Sequence, residues 1–235
     1  MKKITYLVTK IVVSLAFAFS LLLLLTSSIN MKSNNNRLYA KQLITNVAND
    51  AGFGNLSSLF ASSGLEDEML SHLPKKSEVS ITPLEVYNLS STYKKQGKFS
   101  SKDLKLPSKT SGEKFISKYI TVGINAGLKR NNEDVKNALN LYQLVYYALL
   151  LCFAISIILV LLGKRFAGIT AVLSSAGMLV GLLFASEKAT TILDEILYSG
   201  MKVTISPNFL TAVIVVVIAS IVWEVVCHNY RKTQR

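Results

Sequence analysis

Residues 141–186 read LYQLVYYALLLCFAISIILVLLGKRFAGITAVLSSAGMLVGLLFAS, with one pair of charges, Lys164-Arg165, between two runs that carry none. Each run is about 20 residues, roughly 30 Å as an α-helix, which matches the hydrocarbon thickness of a bilayer. Two charge-free rods joined by a two-residue basic break describe a membrane hairpin. The same test applied outward finds IVVSLAFAFSLLLLLTSSI at 11–29 and PNFLTAVIVVVIASIVWEVVC at 207–227. The expected fold is an all-α integral membrane protein. Four transmembrane helices, at 11–30, 141–163, 166–186 and 207–227, would carry a small, mainly helical extracytoplasmic domain at 31–140. The first apolar segment reads as a signal anchor, with a cleaved signal peptide as the competing reading. Its run exceeds a usual h-region, and only Thr26-Ser27-Ser28 offers small residues for cleavage.

Composition agrees. Half of the 235 residues are hydrophobic and 17% are charged, against roughly 25% in an ordinary soluble domain. That excludes a disordered chain and speaks against a simple soluble enzyme. The net charge is +12, yet only five of the 26 basic residues are arginines. Lysine without planar guanidinium forks is a poor reader of phosphates and bases, so no nucleic-acid partner is expected. The lysine- and asparagine-rich composition points to a low-GC bacterial genome. Cys152 and Cys227 both fall in apolar runs, so no disulfide frame supports the polar region.

Charge also sets the expected orientation. The amino-terminal stretch 1–10, the turn 164–165 and the tail 228–235 hold eight basic residues and no acidic ones. By the positive-inside rule both termini and this turn are cytoplasmic, in a plasma membrane. The opposite side would hold 187–206, an outer amphipathic connector with Asp194 and Glu195. Tyr142, Tyr146 and Tyr147 stand at the expected outer border, Trp223 and Tyr230 at the inner one, where amphipathic rings collect. Ser206-Pro207 reads as an N-cap followed by proline at the first helical position.

Within 31–140, the apolar spacing of Leu38, Leu43, Ile44 and Val47 predicts that the first span continues outward as a helix. Short helices fit 56–62 and 65–73, and 78–81 fits a brief strand or extended link. Thr82-Pro83-Leu84-Glu85 and Thr110-Ser111-Gly112-Glu113 are capping boxes that open helices. A further helix starts near Asn131 and runs into the second span.

Chemistry-bearing residues are sparse. Glu66-Asp67-Glu68 with His72 is the densest acidic patch, and it reads as a solvated helix start. Glu224 is the one charge inside a span. With His228 a turn further on it forms a candidate polar pair at the inner interface, and Lys164 or Arg165 is a natural partner for its carboxylate. The third span holds the candidate helix-packing residues Ala167, Ala171, Ser175, Gly177 and Gly181; the last two form a GxxxG. Small residues let backbones approach closely, and such packing is what joins helices in lipid. No catalytic residue, metal site or cofactor is expected.

One span, a polar domain, then three spans: this layout resembles the FtsX/MacB class of ABC-transporter membrane subunits. The resemblance covers span order and carries no residue role. It implies a membrane subunit of a transport or export complex, although the Lys164-Arg165 turn is shorter than the coupling segment of such subunits. The residues themselves point first to a non-enzymatic multi-pass protein, an accessory, sensor or assembly factor acting through its outer domain. Its expected partners are the lipid bilayer and a membrane or extracytoplasmic protein.

Overall fold

The computed structural model describes residues 2–33, 35, 41, 77–106, 111–130, 132–196 and 201–234. In chain order the elements are α1 (Lys2–Thr26), β1 (Ile29–Ser33), β2 (Ser77–Ile81), α2 (Pro83–Gln96), α3 (Ser111–Arg130), α4 (Asn132–Leu161), α5 (Ala167–Ile196), β3 (Met201–Ile205) and α6 (Asn208–Gln234). Four of them, α1, α4, α5 and α6, are long and apolar enough to cross a membrane. They pack as a ring in which α1 and α5 each touch both α4 and α6. Successive spans alternate in direction. One end of the bundle carries the turn after α4 together with Lys10 and Trp223; the other carries the three strands.

The ring follows from spacing. On α1 the buried positions are Val13, Phe17, Ser20 and Leu24, steps of four and three that keep one narrow seam toward its neighbours. Phe209, Ala212, Val216, Ala219 and Trp223 repeat the pattern on α6, and Leu149, Phe153, Ser156 and Val160 on α4. The remaining apolar side chains point outward: Leu173 and Phe184 are 67% and 66% exposed. A girdle of that kind on every span exceeds what a water-soluble monomer shows, and in lipid it is the solvated surface. With no hydrophobic drive between helices there, close packing and hydrogen bonds hold them. Ser156 and Thr170 share a hydroxyl hydrogen bond between α4 and α5, a link worth about 1 kcal/mol.

The all-α expectation is corrected by a three-stranded antiparallel sheet of order β2-β1-β3. Ile29 stands opposite Ile81 and Ile205, Met31 opposite Val79 and Val203, and Ser33 opposite Ser77 and Met201. These residues share one face, and Ile29 and Ile205 rest on the bundle core. The other face carries Asn30, Ser80 and Thr204, then Lys32, Glu78 and Lys202. Ser80 Oγ donates to Asn30 Oδ1 at 2.8 Å and Lys32 pairs with Glu78 at 3.4 Å. So 78–81, read as a strand or extended link, is a strand. The helix of the first span ends at Thr26 and gives way to β1 at Ile29–Ser33. The Thr26 hydroxyl donates to Leu22 O at 2.8 Å and the Ser27 N–H to Leu23 O at 2.9 Å, closing the last turn, and INMKS then alternates apolar and polar and pairs on both sides. Residues 36–40 and 42–50 themselves, and the helices expected at 56–62 and 65–73 with Glu66, Asp67, Glu68 and His72, lie outside the described residues.

The connector at 187–206 also differs from a separate surface helix. α5 continues unbroken to Ile196, and β3 then leads through Ser206 into α6. The Val203 N–H donates to Thr190 Oγ1 of α5 at 3.0 Å, so β3 is tied to α5 on its outer edge. Ser206 Oγ accepts from the Asn208 N–H at 3.3 Å, as the expected cap requires.

A polar layer of β2, α2, the 97–106 turn and α3 sits at the sheet end. The Thr82 capping box is formed: Glu85 N–H donates to Thr82 Oγ1 at 3.2 Å and Thr82 N–H to Glu85 Oε2 at 2.9 Å. Gly97, at φ +66°, closes α2 in a left-handed conformation that glycine adopts without strain.

Candidate functional site

The expected polar residues of the spans gather at the end of the bundle opposite the sheet. There α4 ends in a Schellman motif: Gly163 N–H donates to Val160 O at 2.9 Å and Lys164 N–H to Leu159 O at 2.8 Å. Gly163 has φ +74°, and a Cβ there would lie 2.6 Å from the Tyr6 hydroxyl, so both conformation and space require glycine. The carbonyls left over at this turn are taken by side chains from α1 and α6. Lys10 Nζ donates to Leu161 O at 2.7 Å, Arg231 Nη2 to Gly163 O at 3.1 Å, and Trp223 Nε1 to Lys164 O at 2.8 Å. Cations at a helix C-terminus also oppose its negative dipole end. Tyr6 stacks on Tyr230 with ring centroids 4.0 Å apart and on Trp223 at 5.7 Å. The α4–α5 turn is therefore clamped by the two helices that neither precede nor follow it.

Glu224 does not pair with His228. Its carboxylate accepts from Arg165 Nε, whereas His228 is exposed one turn further on, and no ion pair joins the two among the described residues. Arg165 also lies over the Phe166 ring, 5.6 Å from its centroid. Arg165 and Glu224 stand at one end of a groove of about 470 Å³ between α5 and α6, walled mainly by Ile169, Val172, Val217 and Ile221. Among the described residues no three His, Cys, Asp or Glu side chains stand close enough together to hold a metal.

The candidate packing residues divide. Ala167, Ala171 and Ser175 are fully buried and form the face of α5 that meets the bundle. Gly177 and Gly181 are exposed, and a Cβ added at either would meet nothing within 4 Å. Among the described residues, then, nothing packs on the GxxxG. The glycine that α5 does use is Gly168, which sequence reading passed over. A Cβ there would lie 2.5 Å from Ser220 Cβ and 3.1 Å from Ser220 Cα of α6. Its signal was present in the small pair Gly168 and Ser220, but only the pairing of α5 with α6 makes it legible.

The polar layer is docked on α4. Tyr142 OH donates to Pro83 O at 2.6 Å, Gln143 Nε2 to Ser90 Oγ at 2.8 Å, and the Tyr87 and Tyr146 rings stack at 4.6 Å. The Tyr87 and Tyr147 hydroxyls are hydrogen-bonded to each other. Asn125 of α3 clasps the Phe99 backbone, accepting from its N–H at 2.8 Å and donating to its carbonyl at 2.9 Å. The Lys105 ammonium bound to Glu85, followed by the Thr82 N–H, holds the Glu85 carboxyl below the usual carboxylate range. The hydroxyl and N–H of Ser100 do the same for Asp103. The tyrosines expected at a membrane border are here also the seat of a helix.

Comparison with known proteins finds no matching family model, curated protein or solved structure.

Proposed function

We propose that the chain is a multi-pass plasma-membrane protein whose basic end faces the cytoplasm, and that it acts without catalysis, as an accessory, sensor or assembly factor that binds a protein through the polar layer on the far side. The observation that supports this is continuity. β1 grows out of α1, β3 leads into α6, and α2 is seated on α4 through Tyr142 and Gln143. A partner on the polar layer therefore pulls on three spans together, while the spans offer no mid-bilayer charge for a carrier cycle. Transport-subunit membership is the weaker reading, because the turn at 162–166 is clamped flat against the bundle and presents no segment for an ATPase.

The test has two arms in intact cells. A Gly97→Cys variant reacts with a membrane-impermeant thiol reagent, and a Lys232→Cys variant reacts only after permeabilisation. A photo-crosslinker at Lys95 or Lys98, exposed on the polar layer, captures a discrete protein, and one at Lys232 does not. Reversed labelling removes the orientation; capture of an ATPase from the Lys232 side favours the transport reading.

A further inference from the structure

We propose that the groove between α5 and α6 is a binding site for an anionic phospholipid, with the phosphate at Arg165 and Lys164 and an acyl chain along Ile169, Val172, Val217 and Ile221. The inference rests on the membrane setting of the four helices and stands whatever binds the polar layer.

Shape is the first argument. α5 and α6 touch where Gly168 meets Ser220, and the groove beside that contact opens away from the bundle, with Ile169 and Ile221 52% and 59% exposed. Its 470 Å³ equals roughly one turn of an α-helix at full side-chain diameter. A partner's transmembrane helix would have to lie over the groove, whereas a hydrocarbon chain is far thinner and can lie along it.

Charge is the second. Lys10, Lys164, Arg165, Arg231 and Lys232 surround this end, and Glu224 is the one acidic residue among them. Lys10 and Arg231 are committed to backbone carbonyls. The Lys164 side chain is exposed and has no partner among the described residues. Arg165 gives Glu224 its Nε, and its guanidinium has further donors for a planar oxyanion. In this arrangement Glu224 holds the place that a phosphate oxygen would take. The positive end of the α5 dipole adds to the field. A headgroup with its own ammonium is repelled by the same cations, so an anionic lipid is preferred over a zwitterionic one.

Native mass spectrometry of the full detergent-solubilised chain, titrated with phosphatidylglycerol or phosphatidylcholine of identical acyl chains, reads the site. Phosphatidylglycerol adducts exceed phosphatidylcholine adducts in the native chain. Arg165→Gln lowers the phosphatidylglycerol adducts about fivefold, the weight of one cation at an anionic headgroup, and leaves phosphatidylcholine unchanged. Glu224→Gln, which frees Arg165, raises them. Val217→Trp fills the groove and lowers them. Glycerol phosphate, with no acyl chain, does not compete. Equal adducts of the two lipids, a Glu224→Gln variant that binds less, or competition by glycerol phosphate each overturn the proposal. So does a photo-crosslinker at Ile221 that captures a polypeptide in native membranes and no lipid. A folding defect lowers the phosphatidylcholine adducts as well, so in either charge variant it is distinguishable from loss of the site.

Discussion

Replacing Gly168 with alanine tests how α5 meets α6. The new Cβ would stand 2.5 Å from Ser220 Cβ and 3.1 Å from Ser220 Cα. The serine side chain hangs from a fixed Cα, so rotation cannot clear the clash and the two helices must part. Overpacking of this kind costs about 1–3 kcal/mol. Alanine recovers up to about 1 kcal/mol of helix propensity over glycine, less in a first turn, which leaves a net loss of about 1–2 kcal/mol. Ser220→Gly removes the Cβ, so the pair Gly168→Ala with Ser220→Gly is more stable than the two single changes sum to, by about 1 kcal/mol. The control is Gly177→Ala, with nothing within 4 Å of its new Cβ. Propensity alone acts there, and the variant gains about 0.5–1 kcal/mol. Unfolding in mixed micelles of rising sodium dodecyl sulfate fraction, followed by far-UV circular dichroism, gives all four values. A tolerant Gly168 beside a sensitive Gly177 would refute the reasoning, since α5 would then present its other face to the bundle.

Three further outcomes follow from the same structure. Trp223→Phe removes the donor from Lys164 O, a part-buried bond, and costs about 0.5–1.5 kcal/mol in the same assay. Glu85 has a depressed folded value, so its contribution is complete above the ordinary carboxylate value near ~4.3 and is lost as pH falls through the depressed one. The protection factors of the α2 amides therefore fall on acidification, and Glu85→Gln shows lowered protection at neutral pH with no such step; an unchanged acid step in that variant assigns it elsewhere. In a background of Cys152→Ala and Cys227→Ala, Asn30→Cys with Ser80→Cys oxidises readily, because directly opposed antiparallel residues lie about 4.5–5.5 Å apart. Asn30→Cys with Val79→Cys does not, and a reversed preference on a non-reducing gel would show a register slip.

Legibility in the sequence divides by the range over which each signal acts. The spans are legible because each is one unbroken apolar run whose length alone decides its setting. The Thr82–Glu85 box and Gly97 are legible because a cap is complete within four residues. INMKS and MKVTI are amphipathic strands, but five residues beside a long helix give too short an alternation to separate from a helix end. Only the register of the three strands shows Ile29, Met31, Val79 and Val203 on one face. The candidate site divides in the same way. A partner for Glu224 at the 164–165 turn follows from rise per residue. The clamp by Lys10, Trp223 and Arg231 depends on which helices adjoin, and a sequence does not state that. GxxxG marks a helix able to approach another closely; the close approach in this fold is at Gly168.

The placement of β1 has a consequence for biosynthesis. The middle strand is made long before its neighbour β3, and helix contact between α1 and α6 likewise joins spans made far apart in time. Until the ribosome has released α6, β1 lacks one neighbour and α1 lacks half of its seam. Such long-range closure is slow and leaves an open edge on a nascent polypeptide. Quality control in the membrane thus has a natural checkpoint in this protein: a chain whose ring has not shut displays an unpaired edge of β1, and one whose ring has shut does not.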